Sequence, residues 1–364
     1  MGRLGDETLL NGIRCAAANI DSSLSEREAE ILTDTLSLHN CVYLASRVRP
    51  HNRSVFMVKA LSAVNKRALE ERFKSCAPFF AEINNSDIKY ALYKGAVLSA
   101  GAYGEPYFRK SSDFDLLIDK NDVHAVKEML INSGFVQGRV RDDKIIPFTR
   151  GENIFHTSMT HQTAPFVLKT DSSLSPFVNI DINFNIMWSE SINVIDMNSL
   201  LAETELLEFY GVAVKALPMC VDFVSVCLHH YKDANSIYQI YNGKLRLSLY
   251  SDIYFYIKNN HNKLPPESIL NICKKLNVTE YVYHCVYHAN LIFGDDILSP
   301  YLTALRTPLG DSLLSTYGLS AEDRRKWKMP FLDRLFASDF HERFIAELNE
   351  NDIKSIEMNQ KMMM

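Results

Sequence analysis

The feature that most constrains the fold is a pair of carboxylates at the start of an apolar run. Asp113 and Asp115 flank Phe114, and residues 116–118 continue the run as Leu-Leu-Ile. In a β-strand, residues i and i+2 point to the same face, so both carboxylates would project side by side while Phe114 packs the other way. A like-charged pair at the edge of a buried strand is costly unless a cation lies between the charges. Because Mg²⁺ takes hard oxygen ligands and also accepts phosphate oxygens, the pair predicts a metal site that handles phosphate.

A third carboxylate is predicted on a later strand. Residues 178–186 alternate between apolar and polar side chains at period two, which is typical of a strand with one buried face. The apolar positions are Val178, Ile180, Ile182, Phe184 and Ile186, and the polar ones are Asn179, Asp181, Asn183 and Asn185. Asp181 lies on the polar face, where it can reach the cleft of Asp113 and Asp115. An isolated Asp-x-Asp is more often a solvated strand edge, but the third carboxylate favours the metal site.

The residues before the carboxylate pair predict a phosphate-binding turn. Residues 88–93 are β-branched and aromatic, as in a strand, and Lys94-Gly95 links them to a short helix over residues 96–102. A glycine at a helix N-terminus lets backbone N–H groups approach phosphate oxygens. Lys94-Gly95 alone is an ordinary turn, and Arg109 alone fits a surface salt bridge. Their position before the carboxylate pair favours phosphate binding.

The chain divides into three segments by pattern. Residues 1–85 are predicted to be helical, residues 86–198 to form an α+β domain with a short mixed sheet, and residues 199–364 to be helical. The predicted helices lie at residues 26–38, 55–73, 121–132, 199–210, 221–231, 244–257, 266–275, 280–293 and 339–348. Residues 139–177 predict antiparallel strands or hairpins. His156 and His161 fall there without metal-ligand spacing, so we expect both to be structural.

Composition narrows the class of protein and its partners. The 364 residues are 47% hydrophobic, which is enough for packed cores, and the net charge of −5 lacks the basic excess of a general nucleic-acid binder. The seven cysteines are odd in number and none are spaced as Cys-x-x-Cys, so we expect buried thiols. The first residues lack the apolar core of a signal peptide, and no apolar run is long enough to cross a membrane. We therefore expect a cytoplasmic protein that binds neither a long nucleic acid nor a membrane.

Together these patterns resemble the nucleotidyltransferase fold shared with polymerase β. Within that superfamily the chain most resembles the uncharacterised nucleotidyltransferase family of bacteria. That family carries Lys-Gly where most relatives have Gly-Ser, then an Arg and Asp-hydrophobic-Asp-Leu-Leu-Val. The matching residues are Lys94-Gly95, Arg109 and the run 113–118. The family's later strand reads Asp-hydrophobic-His, whereas here it reads Asp181-Ile182-Asn183, so the role of that His does not carry over.

The helical half extends the resemblance, which spans about residues 85 to 260. The family tends to show a His on one helix, then a Leu-Arg pair and an Asp-Ile on the next. The matching stretches are residues 228–232 (Leu-His-His-Tyr-Lys), residues 244–246 (Lys-Leu-Arg) and residues 252–253 (Asp-Ile). The resemblance implies that Lys232, Lys244 and Arg246 bind the nucleotide or the acceptor. Without it, these cations are an ordinary solvated helix face, and His229, His230 and Asp252 are satisfied by neighbouring residues.

The roles that follow are those of nucleotidyl transfer. Catalysis of in-line attack is mostly positioning and neutralisation of charge, and two metal ions can clamp the attacking and leaving oxygens. Asp113 and Asp115 are predicted to bridge two Mg²⁺ or Mn²⁺ ions. Asp181 is predicted to complete one ion and to act as general base. Lys94 and Arg109 are predicted to neutralise the β- and γ-phosphates beside the backbone of Gly95.

The predicted reaction transfers a nucleoside monophosphate from an NTP, with ATP the expected donor, to a hydroxyl or phosphate of an acceptor. A small molecule or peptide is the expected acceptor, by analogy with the family's relatives. One alternative is a toxin-like enzyme that modifies a protein or tRNA. Another is an inactive nucleotide-binding regulatory module, against which the presence of all three carboxylates argues.

Overall fold

A computed structural model of the chain describes residues 4–159, 162–189, 191, 193 and 195–363. Its centre is a mixed sheet of eight strands, and helices pack on both faces of that sheet. The strands are Tyr90–Tyr93 (β1), Asp113–Ile118 (β2), Val136–Arg141 (β3), Lys144–Pro147 (β4), Phe166–Lys169 (β5), Phe177–Asn183 (β6), Glu205–Phe209 (β7) and Val212–Ala216 (β8), with Thr316–Tyr317 (β9) and Arg325–Lys326 (β10) forming a separate two-stranded pair.

In sequence order, four of the described helices precede the first strand of the sheet, others connect its strands, and the rest follow its last strand. They are Asp6–Ala18 (α1), Glu26–Leu38 (α2), Val42–Ala45 (α3), Arg53–Asn84 (α4), Gly95–Tyr103 (α5), Val123–Asn132 (α6), Arg150–Met159 (α7), Met197–Leu200 (α8), Met219–Asn235 (α9), Ile237–Tyr241 (α10), Leu247–Asn260 (α11), Pro266–Leu276 (α12), Thr279–Phe293 (α13), Ser299–Leu305 (α14), Pro308–Leu313 (α15), Phe331–Phe336 (α16), Phe340–Ile345 (α17) and Glu350–Met363 (α18). Short 3₁₀ turns lie at Lys120–Asp122 and Asp296–Leu298.

The strand order places the predicted site strands at the middle of the sheet. The order is β4-β3-β5-β6-β2-β1-β8-β7. The β2 strand pairs with β1 in antiparallel register and with β6 in parallel register. Because β2 has a partner on both sides, its backbone is held rigidly in the interior of the sheet.

Side chains alternate along the strands, so the two faces of the sheet pack into different hydrophobic cores. Phe114, Leu116 and Ile180 belong to one core, together with the C-terminal half of α4. Tyr93 belongs to the other core, which the C-terminal helices build. Since successive side chains of a strand point to opposite faces, Asp113 and Asp115 project away from α4.

The structure confirms most of the elements predicted around the carboxylates. The strands predicted at residues 88–93, 114–118 and 178–186 correspond to β1, β2 and β6, although β6 ends at Asn183. The helices predicted after Gly95 and over residues 121–132 correspond to α5 and α6. The helical prediction for residues 1–85 is confirmed by α1 to α4.

Two sequence predictions of secondary structure are wrong. The helix predicted over residues 199–210 ends at Leu200, and β7 follows it. Tyr210 and Gly211 both have positive φ, 55° and 81°, and form the two-residue turn of a hairpin that adds β7 and β8 to the main sheet. The short sheet expected from the sequence is therefore an eight-stranded one.

The other wrong prediction concerns residues 139–177, which are only partly strands. The β3–β4 hairpin and β5 are present, but α7 lies between them. This helix begins with a capping box, because Glu152 accepts from the backbone N–H of Thr149 at 2.7 Å and Thr149 Oγ1 accepts from Glu152 N–H at 3.3 Å. His156 lies on α7 rather than in a hairpin, and His161 lies outside the described residues.

Within the described part of the chain, none of the helices has both the length and the apolarity that crossing a bilayer requires.

Candidate active site

The three carboxylates lie together on the free face of the sheet's central strands. Asp115 and Asp181 are register partners across the parallel β2–β6 pair, and Asp113 lies two residues earlier on β2. All three line a cleft of about 330 Å³ between the sheet and the helices α9 and α11. The cleft also holds every other predicted site residue. These are Lys94, Gly95, Arg109, Lys232, Lys244 and Arg246.

The turn from β1 into α5 has an unusual backbone. Lys94 has φ 58° and ψ −152°, and Gly95 has φ 39°. Positive φ is costly for a residue with a Cβ, and such conformations cluster at functional sites. A Cβ on Gly95 would lie 3.0 Å from Ser111 Oγ. Glycine is therefore required at residue 95 by both its φ and the closeness of the loop before β2.

The Lys94 ammonium lies against the carboxylate of Asp115. Its Nζ is 3.1 Å from Asp115 Oδ1 and 4.4 Å from the centre of the Tyr93 ring. Burial alone would lower the pKa of Lys94, but the Asp115 carboxylate and the Tyr93 side chain together outweigh that effect, so the pKa is raised. Lys94 is therefore a permanent positive charge inside the acidic cluster.

Asn183, two residues after Asp181 on β6, supports Asp115 instead of facing the cleft. The side chain is fully buried, and its Nδ2 donates to Asp115 Oδ1 at 3.2 Å and to the carbonyl of Asp181 at 3.2 Å. It is absent from the residues that line the cleft. The amide thus orients a carboxylate rather than meeting a substrate.

The remaining carboxylates are electrostatically unsatisfied. Burial and repulsion from Asp115 and Asp113 raise the pKa of Asp181 to about 7. Burial and Asp115 also raise the pKa of Asp113, although Ser111 Oγ donates to its Oδ1 at 3.0 Å. Asp181 Oδ1 is buried and has no hydrogen-bond partner among the described residues.

The three carboxylates offer oxygen atoms, which are the ligands that a hard divalent cation prefers. Asp181 Oδ1 is buried without a hydrogen-bond partner among the described residues, so a cation there would satisfy it. In the present side-chain arrangement, however, no three acidic, His or Cys side chains of the described residues converge as a metal-binding group. Lys94 and Asn183 hold Asp115 Oδ1.

A buried carboxylate on α11 fixes Arg109. Asp252 Oδ2 accepts from Arg109 Nε at 3.0 Å and lies 2.9 Å from His230 Nε2, and its Oδ1 accepts from Tyr103 OH at 2.6 Å. Burial would raise the pKa of Asp252, but Arg109 and His230 outweigh it and the pKa is lowered. Neither His230 nor Asp252 lines the cleft, so both act behind Arg109.

The helical wall of the cleft carries three cationic side chains and one acidic one, Asp233. Lys232 on α9 and the pair Lys244 and Arg246 before α11 face the carboxylates. His229 also lines the cleft, with its Nε2 3.4 Å from Asp233 Oδ2. Burial and the charges of Lys94 and Lys232 lower the pKa of His229 well below its usual value, so this imidazole is neutral.

Sequence reasoning missed several residues of the site. Arg72 on α4 donates from Nη1 to the carbonyl of Ser111 at 2.5 Å, which anchors the loop before β2. His39, whose pKa is lowered to about 4 by burial and Arg246, accepts from the backbone N–H of Leu247 at 3.1 Å. The unpredicted residues that line the cleft itself are Asn40, Lys110, Ser111, Ser112, Gln162, Asp233, Gln239, Ser248 and Leu249. Apart from Leu249 these are scattered polar residues, which carry no spacing signal along the chain.

Comparison with known proteins gives one match. A family model described as an uncharacterised nucleotidyltransferase matches residues 74–294, more than half of the chain. Neither the curated proteins nor the solved structures give a match. The matched range begins within α4 and ends after α13, so it contains the whole sheet and the helices that carry the cleft. The chain therefore belongs to the family of uncharacterised nucleotidyltransferases, as its Lys-Gly turn and its carboxylate pair predict.

Proposed function

We propose that the chain is a metal-dependent nucleotidyltransferase that moves a nucleoside monophosphate, AMP from ATP in the expected case, onto a small-molecule or peptide acceptor. The observation that carries this proposal is that one cleft holds both a cluster of carboxylates and a larger set of cations. The three sheet carboxylates share it with Asp233 and with five cationic side chains besides Lys94, which are Arg109, Lys110, Lys232, Lys244 and Arg246. A metal-bound triphosphate is a ligand that needs carboxylates for its metal and cations for its phosphates.

The carboxylates are the residues that would hold the metal. Asp113 and Asp181 have raised pKa values without a cation, and Asp181 Oδ1 lacks a partner among the described residues. A bound Mg²⁺ or Mn²⁺ would neutralise phosphate charge and draw the reacting oxygens together.

The chain's own residues then bind and orient the nucleotide. Arg109 would take a phosphate through its Nη groups, since its Nε is held by Asp252. The backbone at Gly95 would approach the phosphates at the start of α5. Lys232, Lys244 and Arg246 would bind the outer phosphates or the acceptor.

In the transfer itself, an acceptor oxygen attacks the α-phosphorus and the bond to the β-phosphate oxygen breaks, so pyrophosphate leaves. When the acceptor is a hydroxyl, its proton passes to the carboxylate of Asp181. A phosphate acceptor attacks without needing that base.

The cleft favours a small polar acceptor. Its volume is about 330 Å³, and Leu249 is the one large apolar side chain among its described lining residues. A long apolar acceptor would find little surface there to bury. The chain's net negative charge also disfavours a long nucleic acid.

The test is label transfer from the four α-³²P-labelled nucleoside triphosphates, with Mg²⁺ or Mn²⁺ and host-cell extract as the acceptor source. Pyrophosphate release is measured in parallel. The control is the Asp113→Ala/Asp115→Ala protein, checked for folding by circular dichroism. We expect metal-dependent label on a small species and none with the double variant.

Other outcomes contradict parts of the proposal. Label on protein or RNA would overturn the small acceptor and support the toxin-like alternative. Nucleotide binding without label or pyrophosphate, with any of the four nucleotides, would overturn transfer and support the regulatory module.

A further inference from the structure

We propose that the acidic cluster takes one divalent cation, and that Lys94 stands as a built-in cation where a second metal ion would otherwise lie. This inference rests on the proposed function, because it assigns the metal content of the same site. It departs from the two ions that the sequence predicts. It is carried by the contacts of Asp115, the backbone of Lys94 and the state of the two other carboxylates.

The first step is that Asp115 Oδ1 is already occupied. It accepts from Lys94 Nζ at 3.1 Å and from Asn183 Nδ2 at 3.2 Å. A carboxylate that bridges two metal ions must give one oxygen to each of them. With two N–H donors on Oδ1, only Oδ2 of Asp115 remains for a metal.

The second step is that Lys94 is held in this place. Its backbone sits at positive φ between β1 and α5, and only 11% of its side chain is exposed. The ammonium also contacts the face of the Tyr93 ring, which is buried. Moving the lysine away would leave the Asp115 carboxylate, whose side chain is 13% exposed, without its cationic partner.

The donors on Asp115 hold it from both sides. Asn183 is fully buried and is fixed on the next strand, where its amide also bonds the carbonyl of Asp181. The pair of donors therefore belongs to the rigid sheet and its adjoining turn, not to a flexible surface.

The third step is that the other two carboxylates remain open. Asp181 Oδ1 is buried without a partner among the described residues, and Asp113 Oδ1 accepts from the neutral hydroxyl of Ser111. One divalent ion at these oxygens, together with the ammonium of Lys94, balances the three negative charges. A second divalent ion would leave the cluster with a net charge of +2 beside five further cationic side chains, of which Arg109 is paired with Asp252 and Lys232 lies near Asp233.

The experiment counts Mn²⁺ bound to the full-length chain, from the loss of the free Mn²⁺ signal in electron paramagnetic resonance. We expect one ion per chain for the wild type. Lys94→Met removes the ammonium and one of the two donors on Asp115 Oδ1, so we expect two ions per chain. The matched control is Lys244→Met, which removes a cleft lysine that has no ion pair with a carboxylate of the described residues, and this variant should bind one ion.

Each other result overturns a stated part of this account. Two ions on the wild type, or one ion on folded Lys94→Met at saturating Mn²⁺, would overturn the role of Lys94 but leave the metal-dependent function standing. No binding by the wild type would overturn both. If Lys94→Met does not fold, the same count on Lys94→Gln, which also lacks the ammonium but keeps a polar side chain, takes its place, and one ion on that folded variant would overturn the role of Lys94.

Discussion

Asp252 shows how one buried carboxylate can set the direction of a cationic side chain in the cleft. It is 1% exposed and accepts from Arg109 Nε, so the guanidinium plane cannot turn about the Cδ–Nε bond without losing that contact. The Nη groups of Arg109 make no hydrogen bond with any described residue, which leaves them for a ligand. A planar guanidinium held by Nε presents two parallel N–H groups, the geometry that phosphate accepts.

We predict that Asp252→Asn lowers kcat/KM for the nucleotide about 10–100-fold, mainly by raising KM. The amide keeps the shape but loses the charge, and a charge-assisted hydrogen bond contributes about 1.5–3 kcal/mol. Steady-state kinetics with varied nucleotide is the measurement. Asp295→Asn is the matched control, since Asp295 accepts from Tyr254 and Lys258 away from the cleft. An unchanged KM in folded Asp252→Asn would contradict the positioning role.

The start of α5 joins backbone conformation to the chemistry of the site. At Gly95 the positive φ and the short distance to Ser111 both exclude a side chain. Ser111 Oγ in turn donates to Asp113, so any group placed on residue 95 would push on a carboxylate of the cluster. A substitution at the first residue of α5 should therefore disturb the carboxylate cluster, whereas one at Gly104 should not.

We predict that Gly95→Ala destabilises the protein by about 1–2 kcal/mol and abolishes most of the transfer activity. Gly104, the C-cap of the same helix, is the matched control because its φ is 78° but a Cβ there meets no atom within 4 Å. Gly104→Ala should therefore lose comparable stability yet keep its activity. Urea unfolding and label transfer, measured on both variants, separate the two effects. Equal loss of activity in both would reject the contact with Ser111 as the cause.

The elements that sequence patterns predicted well are those with strong local periodicity. The alternation in β6 and the apolar run of β2 depend only on neighbours along the chain, so they could be recognised without the fold. The β7–β8 hairpin was missed because Leu206, Leu207 and Phe209 are also compatible with a helix face. The Tyr210-Gly211 turn before alternating Val212 and Val214 was the available signal. The capping box of Thr149 and Glu152 was the corresponding signal for α7.

Residues from all three predicted segments line the cleft. For this reason the contacts between its side chains could not be predicted from the sequence. Asn40, Asp113 and Lys244 line the same space although they are far apart in sequence. The backbone of Leu247 is tied to His39 across 208 positions. Periodicity depends on local structure, so it predicted which strand or helix carries each carboxylate and each cationic residue, but not which of them meet. The pairing of Asp252 with Arg109, or of Arg72 with Ser111, arises only when distant elements pack.

Packing of α9 against α11 also buries an acid that the site does not use, and it makes the stability of the protein depend on pH. Asp222 is 1% exposed, its Oδ2 accepts from Tyr256 OH at 2.7 Å, and its Oδ1 has no partner among the described residues. Burial is the main reason that the pKa of Asp222 is raised to about 6, and the charge of Glu205 adds to it. In the unfolded chain an aspartate has a pKa of about 3.9.

The folded state therefore binds this proton more tightly than the unfolded state does. The stabilising contribution is fully present below about pH 4 and is lost as the pH rises through about 6. From pH 5 to pH 8 we expect Asp222 to reduce the free energy of unfolding by on the order of 1 kcal/mol. Asp222→Asn cannot ionise and still accepts from Tyr256, so its unfolding free energy should fall less over the same range. Urea unfolding at several pH values measures the difference, with Asp142→Asn in the exposed β3–β4 turn as the control. Parallel curves for the wild type and Asp222→Asn would show that this carboxyl does not titrate between the two pH values.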